Sequence, residues 1–398
     1  MFKHAKHLYG FGGSGGNMED SAQTDIQGWD AIDDHRTGTA GDRQTSEWLI
    51  AQARAAGLVA QQEGFGLSRW ILESCTVRHA DVVADGVPMF DGGTTGAQGV
   101  SGRLSLLEGE AAPDSATIGL GSFGNAAGTA NRALADARKA GSHRALVAVS
   151  NMDPRVTGLA LNNADRFRTP FGPPVLQVAT EHERWLRGAA ARAEPVTLTA
   201  HVGFETATGT NVVCPLPGRE PDLAPLAVLT PKSAWWVCTA ERGGGIAVWL
   251  ALLRHFDANR PRRDVLFVAT SGHELGHLGL DHFLTTNARR DAHAWMHLGA
   301  NFAAMGSRIR LQASDADLLG TARSALAAAA VSVATTTPLG ERPGGEARNI
   351  HDLGGRYVSL LGTNPWFHHP DDRWPVTVDL DRTRRIIDAA RVIASALV

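Results

Sequence analysis

The sequence predicts an α/β protein, a mostly parallel sheet with helices on both faces, interrupted by a mainly β insertion. Three observations carry this. After residue 208, short apolar runs such as LAVLT (Leu226–Thr230), DVLFVAT and YVSLLG alternate with helical stretches, the pattern of strands that return through crossover helices. These runs are apolar almost throughout, as strands buried on both faces require. Between about Leu72 and Val202 the text changes to short alternating strands with Gly/Asp turns, as in VVADGVPMFDGG, which marks the insertion. The expected division is a flexible Gly-rich arm over 1–20, a discontinuous main domain over 21–71 and 208–398, and an inserted domain over 72–207.

Element by element, a polar loop from Asp33 leads into a helix from about Asp42 to Ala56, with Trp48, Leu49 and Ala53 at helical spacing and Gly57 as its stop. A strand around Gln62–Phe65 follows. The insertion holds an Ala-rich helix (Thr129–Ala140) and a buried strand ALVAVS. After LAVLT come a Trp-rich turn, a helix over Gly243–Phe256, the strand DVLFVAT, and a helix from His273. A strand near Trp295–Ala304, a helix over Asp315–Ala330, the strand YVSLLG and a closing helix over Asp379–Val398 complete the chain.

With 38 basic and 41 acidic residues the net charge is -3, too small to recommend nucleic acid or an anionic membrane as partner. The partner expected is a small-molecule or peptide substrate, with a homo-oligomer left open. Three cysteines, Cys75, Cys214 and Cys238, do not make a disulfide framework and fit a reducing compartment. No apolar run approaches the ~20 residues that span a bilayer, and the N-terminus lacks a secretory h-region, so the expected location is cytoplasmic.

The chemistry concentrates in FVATSGHELGHLGL, where a strand runs directly into a turn, the position at which open α/β sheets place their sites. His273-Glu274-x-x-His277 matches the zincin pattern of two imidazoles and a carboxylate, which would make His277 an alternative metal ligand. Against this, zincins carry the motif inside a helix, and here strand residues run to within two positions of His273.

The same stretch resembles the segment of the co-catalytic zinc aminopeptidases (metallopeptidase family 28, with glutamate carboxypeptidase and glutaminyl cyclase) that ends a strand on a Glu-Glu pair followed by Leu-Gly. HRTGTAGDRQTSEWL, GTNVV and WFHHPDD resemble further segments of that family, and 72–202 resembles its inserted protease-associated domain. The resemblance implies an aminopeptidase-like fold and places His273 where the family has its general base, Glu274 and His368 at metal-ligand positions, Glu241 at the bridging carboxylate, and Asp372 as an outer carboxylate. Pro231-Lys232-Ser233 replaces the family's His-x-Asp, and Ala303 replaces the aspartate of its Asn-Phe-Asp-Met strand. One metal's set is therefore lost and the other, Glu241, Glu274 and His368, is kept.

The expectation is an enzyme, a metal-dependent hydrolase or cyclase acting on an amide, peptide or related C–N bond. It would use one divalent metal, zinc in the first place with manganese or cobalt acceptable to the same ligands. Trp235, Trp236, Arg348, His351 and Trp366 are expected around the substrate. The alternative is an inactive homologue that binds a ligand or partner.

Overall fold

The computed structural model describes residues 18–108, 115–124, 129–287 and 291–398. Of the expected arm, residues 1–17 lie outside the described residues, and the rest opens helix α1 (Met18–Asp30), which the composition of this stretch does not predict. Helix α2 (Ala40–Ala55) starts at Thr39, whose hydroxyl caps the Asp42 N–H. Two long strands, β1 (Gln61–His79) and β7 (Pro195–Leu216), bracket the insertion, which contributes β2 (Val82–Pro88), β3 (Val100–Leu106), β4 (Thr117–Phe123), α3 (Thr129–Ala140), β5 (Ala145–Ser150), β6 (Val175–Val178) and α4 (Glu183–Ala191). The chain then alternates: β8 (Leu226–Pro231), α5 (Gly244–Ala258), β9 (Val265–Thr270), α6 (Leu278–Thr286), β10 (Ala294–Leu298), β11 (Ile309–Ala313), α7 (Ala316–Ala328), β12 (Val333–Thr336), α8 (Ala347–Asp352), β13 (Tyr357–Leu361) and α9 (Leu380–Ser395).

The main sheet runs β7-β9-β8-β10-β13-β11-β12, with β9, β8, β10 and β13 mutually parallel and β7 antiparallel at one side. β11 enters antiparallel to β13. Every residue of β8, β9 and β10 is buried, as their apolar sequences require. One face is covered by α5, α7 and α9, around Trp249, Phe267 and Ile386; the other packs Leu280, Phe283 and Trp295 under α6 and α8.

The insertion closes on itself. Its strands pair in the order β1-β2-β6-β5-β4-β3-β7, and β7 pairs with β1 again, making a ring around Leu104, Ile118, Val147 and Leu198. β1 and β7 stay paired from Gln61↔Val213 to Arg78↔Thr197, with one extra residue, Glu73, where Leu72 faces Val202 and Ser74 faces His201. The lower part of this ribbon meets β9 and the upper part belongs to the ring. The strand expected at Gln62–Phe65 is thus the first quarter of a much longer one.

The four parallel strands end at one edge of the sheet, and their carboxyl ends deliver Lys232–Ser233, Ser271–His273, Asn301 and Asn364 to the same region.

Candidate metal centre at the carboxyl end of the sheet

A cleft of about 860 Å³ opens here between the insertion and the main sheet, with His273, His277 and His368 among its walls. The backbone around it is unusual. Cys238 (φ 48°), His277 (φ 69°), Asn301 (φ 71°) and His368 (φ 60°) all take left-handed conformations, which non-glycine residues seldom adopt. Such positions persist only where the surroundings enforce them, and they cluster at functional sites.

This backbone corrects one expectation. The helix expected from His273 begins only at Leu278, because Gly272, Gly276 and His277 all have positive φ, which a right-handed helix cannot pass through. His273 and His277 are therefore not one helical turn apart. The tight loop instead stacks their rings, centroids 5.0 Å apart.

The ligand set expected by resemblance divides. Glu241 and His368 meet: His368 Nε2 is 3.4 Å from Glu241 Oε1, and the His368 N–H lies 3.4 Å from Oε2. Glu274 is held elsewhere, its two oxygens accepting the Thr37 N–H (2.8 Å) and the Ser233 hydroxyl (2.6 Å). Between them stands Arg242, whose Nε–H reaches the Ser233 carbonyl and whose Nη2 is 2.6 Å from Glu241 Oε1. Burial would push the Glu241 carboxyl up, but the Arg242 guanidinium, with His368, brings it down to about 2. Among the described residues no three-ligand cluster within 4.8 Å contains Glu274, so Glu241, Glu274 and His368 do not converge. Asp372 holds the backbone of this turn, accepting the N–H groups of Ala240 (2.9 Å) and Glu241 (3.0 Å) and the Asn364 amide; burial raises its carboxyl to about 7.

The two places where the resemblance implies ligands that the sequence lacks, at Pro231–Ser233 and at Ala303, are filled by other contacts. A Cβ on Gly244, in the first turn of α5, would come 2.3 Å from the Ala303 Cβ, so helix start and Ala303 fill the space together. Lys232 is fully buried, its ammonium on the Asp42 carboxylate and 2.9 Å from the Ser271 hydroxyl.

One accessible cluster does converge. Ligand atoms of His273, His277 and Glu346 all lie within 4.8 Å of one another, and both imidazoles face the cleft. His273 Nδ1 is 3.1 Å from Glu346 Oε2, which also meets His297 Nε2 at 3.2 Å, while Thr270 donates to Oε1 at 3.3 Å. His277 Nδ1 donates to Asn349 Oδ1 (2.7 Å), and Asn349 Nδ2 donates in turn to Asp281 (2.7 Å). That orientation of the amide leaves the His277 Nε2 lone pair free. Burial lowers the pKa of both imidazoles, His277 to about 3, so they are neutral at pH 7; His273 and His297 hold Glu346 well below the carboxylate range against its own burial. Two neutral imidazoles and a carboxylate, with Asn349 behind His277 and with His297 and Thr270 behind Glu346, are a donor set that fits a divalent ion. A second cluster, Cys238, Glu241 and Asp372, fits poorly: Asp372 is already occupied by N–H donors and burial drives the Cys238 thiol well up, away from the thiolate.

Of the residues expected around the substrate, Arg348 lines the cleft, paired with Asp165 at 2.8 Å. Trp235 and Trp236 instead pack in the junction core with Phe65, Phe90, Leu161 and Leu275, where an apolar seam between insertion and sheet had to be filled. His351 lies beside Asp352 and Tyr357, and at Trp366 it is the neighbours Pro365 and Phe367 that reach the cleft. Glu346 went unrecognised in the sequence, its only signal being a carboxylate after Gly344-Gly345 and two positions before Arg348.

No protein-family model matches the chain, and no curated protein sequence matches it. Solved structures do. A zinc aminopeptidase from Bacillus subtilis superposes with a TM-score of 0.73 at 16% identity, covering 95% of this chain and 94% of that one. The aminopeptidase from Aneurinibacillus sp. strain AM-1 gives 0.70 at 13% identity, covering 95% and 93%. Glutaminyl cyclase of Porphyromonas gingivalis gives 0.52 at 12% identity, covering 96% and 98%. The parallel sheet, the carboxyl-end cleft and these superpositions together establish that this chain has the zinc-aminopeptidase fold of the M28 peptidases.

Proposed function

We propose that the chain is a metal-dependent hydrolase that cleaves an amide, peptide or related C–N bond in this cleft, with one divalent ion held by His273, His277 and Glu346. The convergence of those three side chains, with both imidazoles lining the cleft and Glu346 buried behind them, carries the reading. Similarity in fold to zinc aminopeptidases supports the reaction class, and zinc suits two imidazoles and a carboxylate. The bound ion would polarise a carbonyl and acidify a water. His297 and Thr270 orient Glu346, and Asn349 fixes the tautomer of His277. His273, expected as the base, would become a ligand, and the group left to take up a proton would be His368: its Nδ1 donates to the Leu161 carbonyl at 2.7 Å, and its Nε2, 3.4 Å from Glu241 Oε1 without a hydrogen bond, keeps its lone pair on a side chain that lines the cleft.

A second reading, a ligand-binding protein without metal, is favoured by the two internal cations, Arg242 on Glu241 and Lys232 on Asp42, which neutralise carboxylates of the region without an ion. Elemental analysis of protein purified without chelator separates the two. About one equivalent of metal, lost in both His277→Ala and Glu346→Gln, supports the hydrolase. Protein that is metal-free and ignores added zinc, manganese and cobalt supports the second reading, and metal retained in both variants overturns the assigned ligands.

A further inference from the structure

The protein carries a net charge of -3, yet its main cleft is cationic. Six arginines and three aspartates line it. Each aspartate is matched: Asp91 with Arg138 at 2.6 Å, Asp153 with Arg155 at 2.7 Å, Asp165 with Arg348 at 2.8 Å. The remaining three, Arg166, Arg308 and Arg310, have no carboxylate partner among the described residues.

Their setting is built. The Arg166 guanidinium lies 4.5 Å from the centroid of Phe171, a ring that Arg138 also covers at 4.3 Å, so two cations share one aromatic; the carboxylate beside them, Asp91, is paired with the Arg138 guanidinium and meets Arg166 only through its backbone N–H (3.4 Å). Arg308 is anchored through its backbone, its N–H donating to Thr363 at 3.0 Å, and among the described residues its guanidinium has no ion-pair partner. Arg310 projects from the exposed side of β11. Arg166 comes from the insertion and the other two from the main sheet, so the surplus charge flanks the way to His273 and His277. A guanidinium fork matches a carboxylate with two parallel hydrogen bonds, and a surplus of three in a confined cleft draws and orders an anion.

We infer that the cleft binds a short acidic peptide whose side-chain and terminal carboxylates seat on Arg166, Arg308 and Arg310. The inference names the substrate class of the proposed hydrolase and rests on that reading only for where the bond is cut. Binding itself does not need the metal.

The test is calorimetric titration of chelator-treated protein with triglutamate, trialanine and trilysine, with inorganic phosphate as competitor. Triglutamate is expected to bind, more weakly as salt rises, while trialanine and trilysine bind at least tenfold more weakly. Removing one uncompensated fork, Arg166→Ala or Arg310→Ala, should weaken triglutamate about tenfold or more. Arg155→Ala, whose charge is already matched by Asp153, should change it less than twofold. Equal binding of trialanine, or equal loss in Arg155→Ala, overturns the inference. Phosphate binding where triglutamate does not bind also overturns it and points to a phosphorylated ligand. Because the titration is done without metal, failure of the hydrolase reading would leave these results standing.

Discussion

Arg242 Nη2 lies 2.6 Å from Glu241 Oε1, with the two side chains 1% and 0% exposed. A guanidinium so placed fills the electrostatic role of a bound cation with a covalently attached one.

Glu241→Gln should therefore destabilise the protein by about 3–5 kcal/mol, the effect of leaving a buried charge uncompensated. Adding Arg242→Leu should restore much of that loss. Urea unfolding of the single and double variants decides it. Were Glu241 a metal ligand instead, the single variant would chiefly lose metal, and the second substitution would recover nothing.

The two carboxylates near His273 should behave oppositely. Glu346→Gln is expected to abolish metal binding with the fold retained. Glu274→Gln should keep the metal and lower stability by about 1–3 kcal/mol, since Glu274 accepts the Thr37 N–H and the Ser233 hydroxyl inside the protein. Metal content and melting of the two variants, side by side, give the answer.

Asn349 acts through His277, holding Nδ1–H while Asp281 holds the amide. Asn349→Leu should weaken metal affinity by about 10–100-fold while leaving the thermal midpoint of the chelated protein nearly unchanged. Competition with a metallochromic dye reads the affinity directly.

His35 is stacked on Trp29, centroids 3.5 Å apart, bonded to Thr45, and lowered to about 3 by burial, with Lys232 nearby adding to the effect. The unfolded chain takes up a proton near 6.5 and the folded one only near 3, so this residue's contribution to stability falls as pH drops through that window, by up to about 1.4 kcal/mol per pH unit. His277, also lowered to about 3, adds the same sign, whereas Asp372, raised to about 7, opposes both. His35→Gln should be less stable than the parent at pH 7, with the gap narrowing toward pH 4. A gap that stays constant across denaturant titrations at several pH values would show that His35 takes up its proton in the fold as it does in the unfolded chain.

The apolar strands DVLFVAT, LAVLT and YVSLLG were legible because complete burial demands apolar sequences, and with them the edge of the sheet where the site had to lie. Glu241 and His368, given neighbouring roles only by the resemblance, lie 3.4 Å apart. What stayed hidden depends on backbone that residue types do not announce. His277 in a left-handed conformation turns toward His273, and HELGH read as helical spacing cannot show that. Glu346 is distant in sequence and reaches His273 from the start of α8, beside Thr270 of β9 and His297 of β10. Trp235 and Trp236 were placed at a pocket because they lie on a turn after a strand end, but their bulk fills the seam below the insertion.

The ribbon of β1 and β7 crosses that seam as continuous strands, with only the Glu73 bulge to bend it. A ring joined to the sheet by two paired strands is braced where loose tethers would let it swing. The cleft it walls, with Arg166 on the insertion and Arg308 on the main sheet, is then expected to keep one width, so that the hydrolase we propose would select by girth and prefer a short peptide to a folded loop.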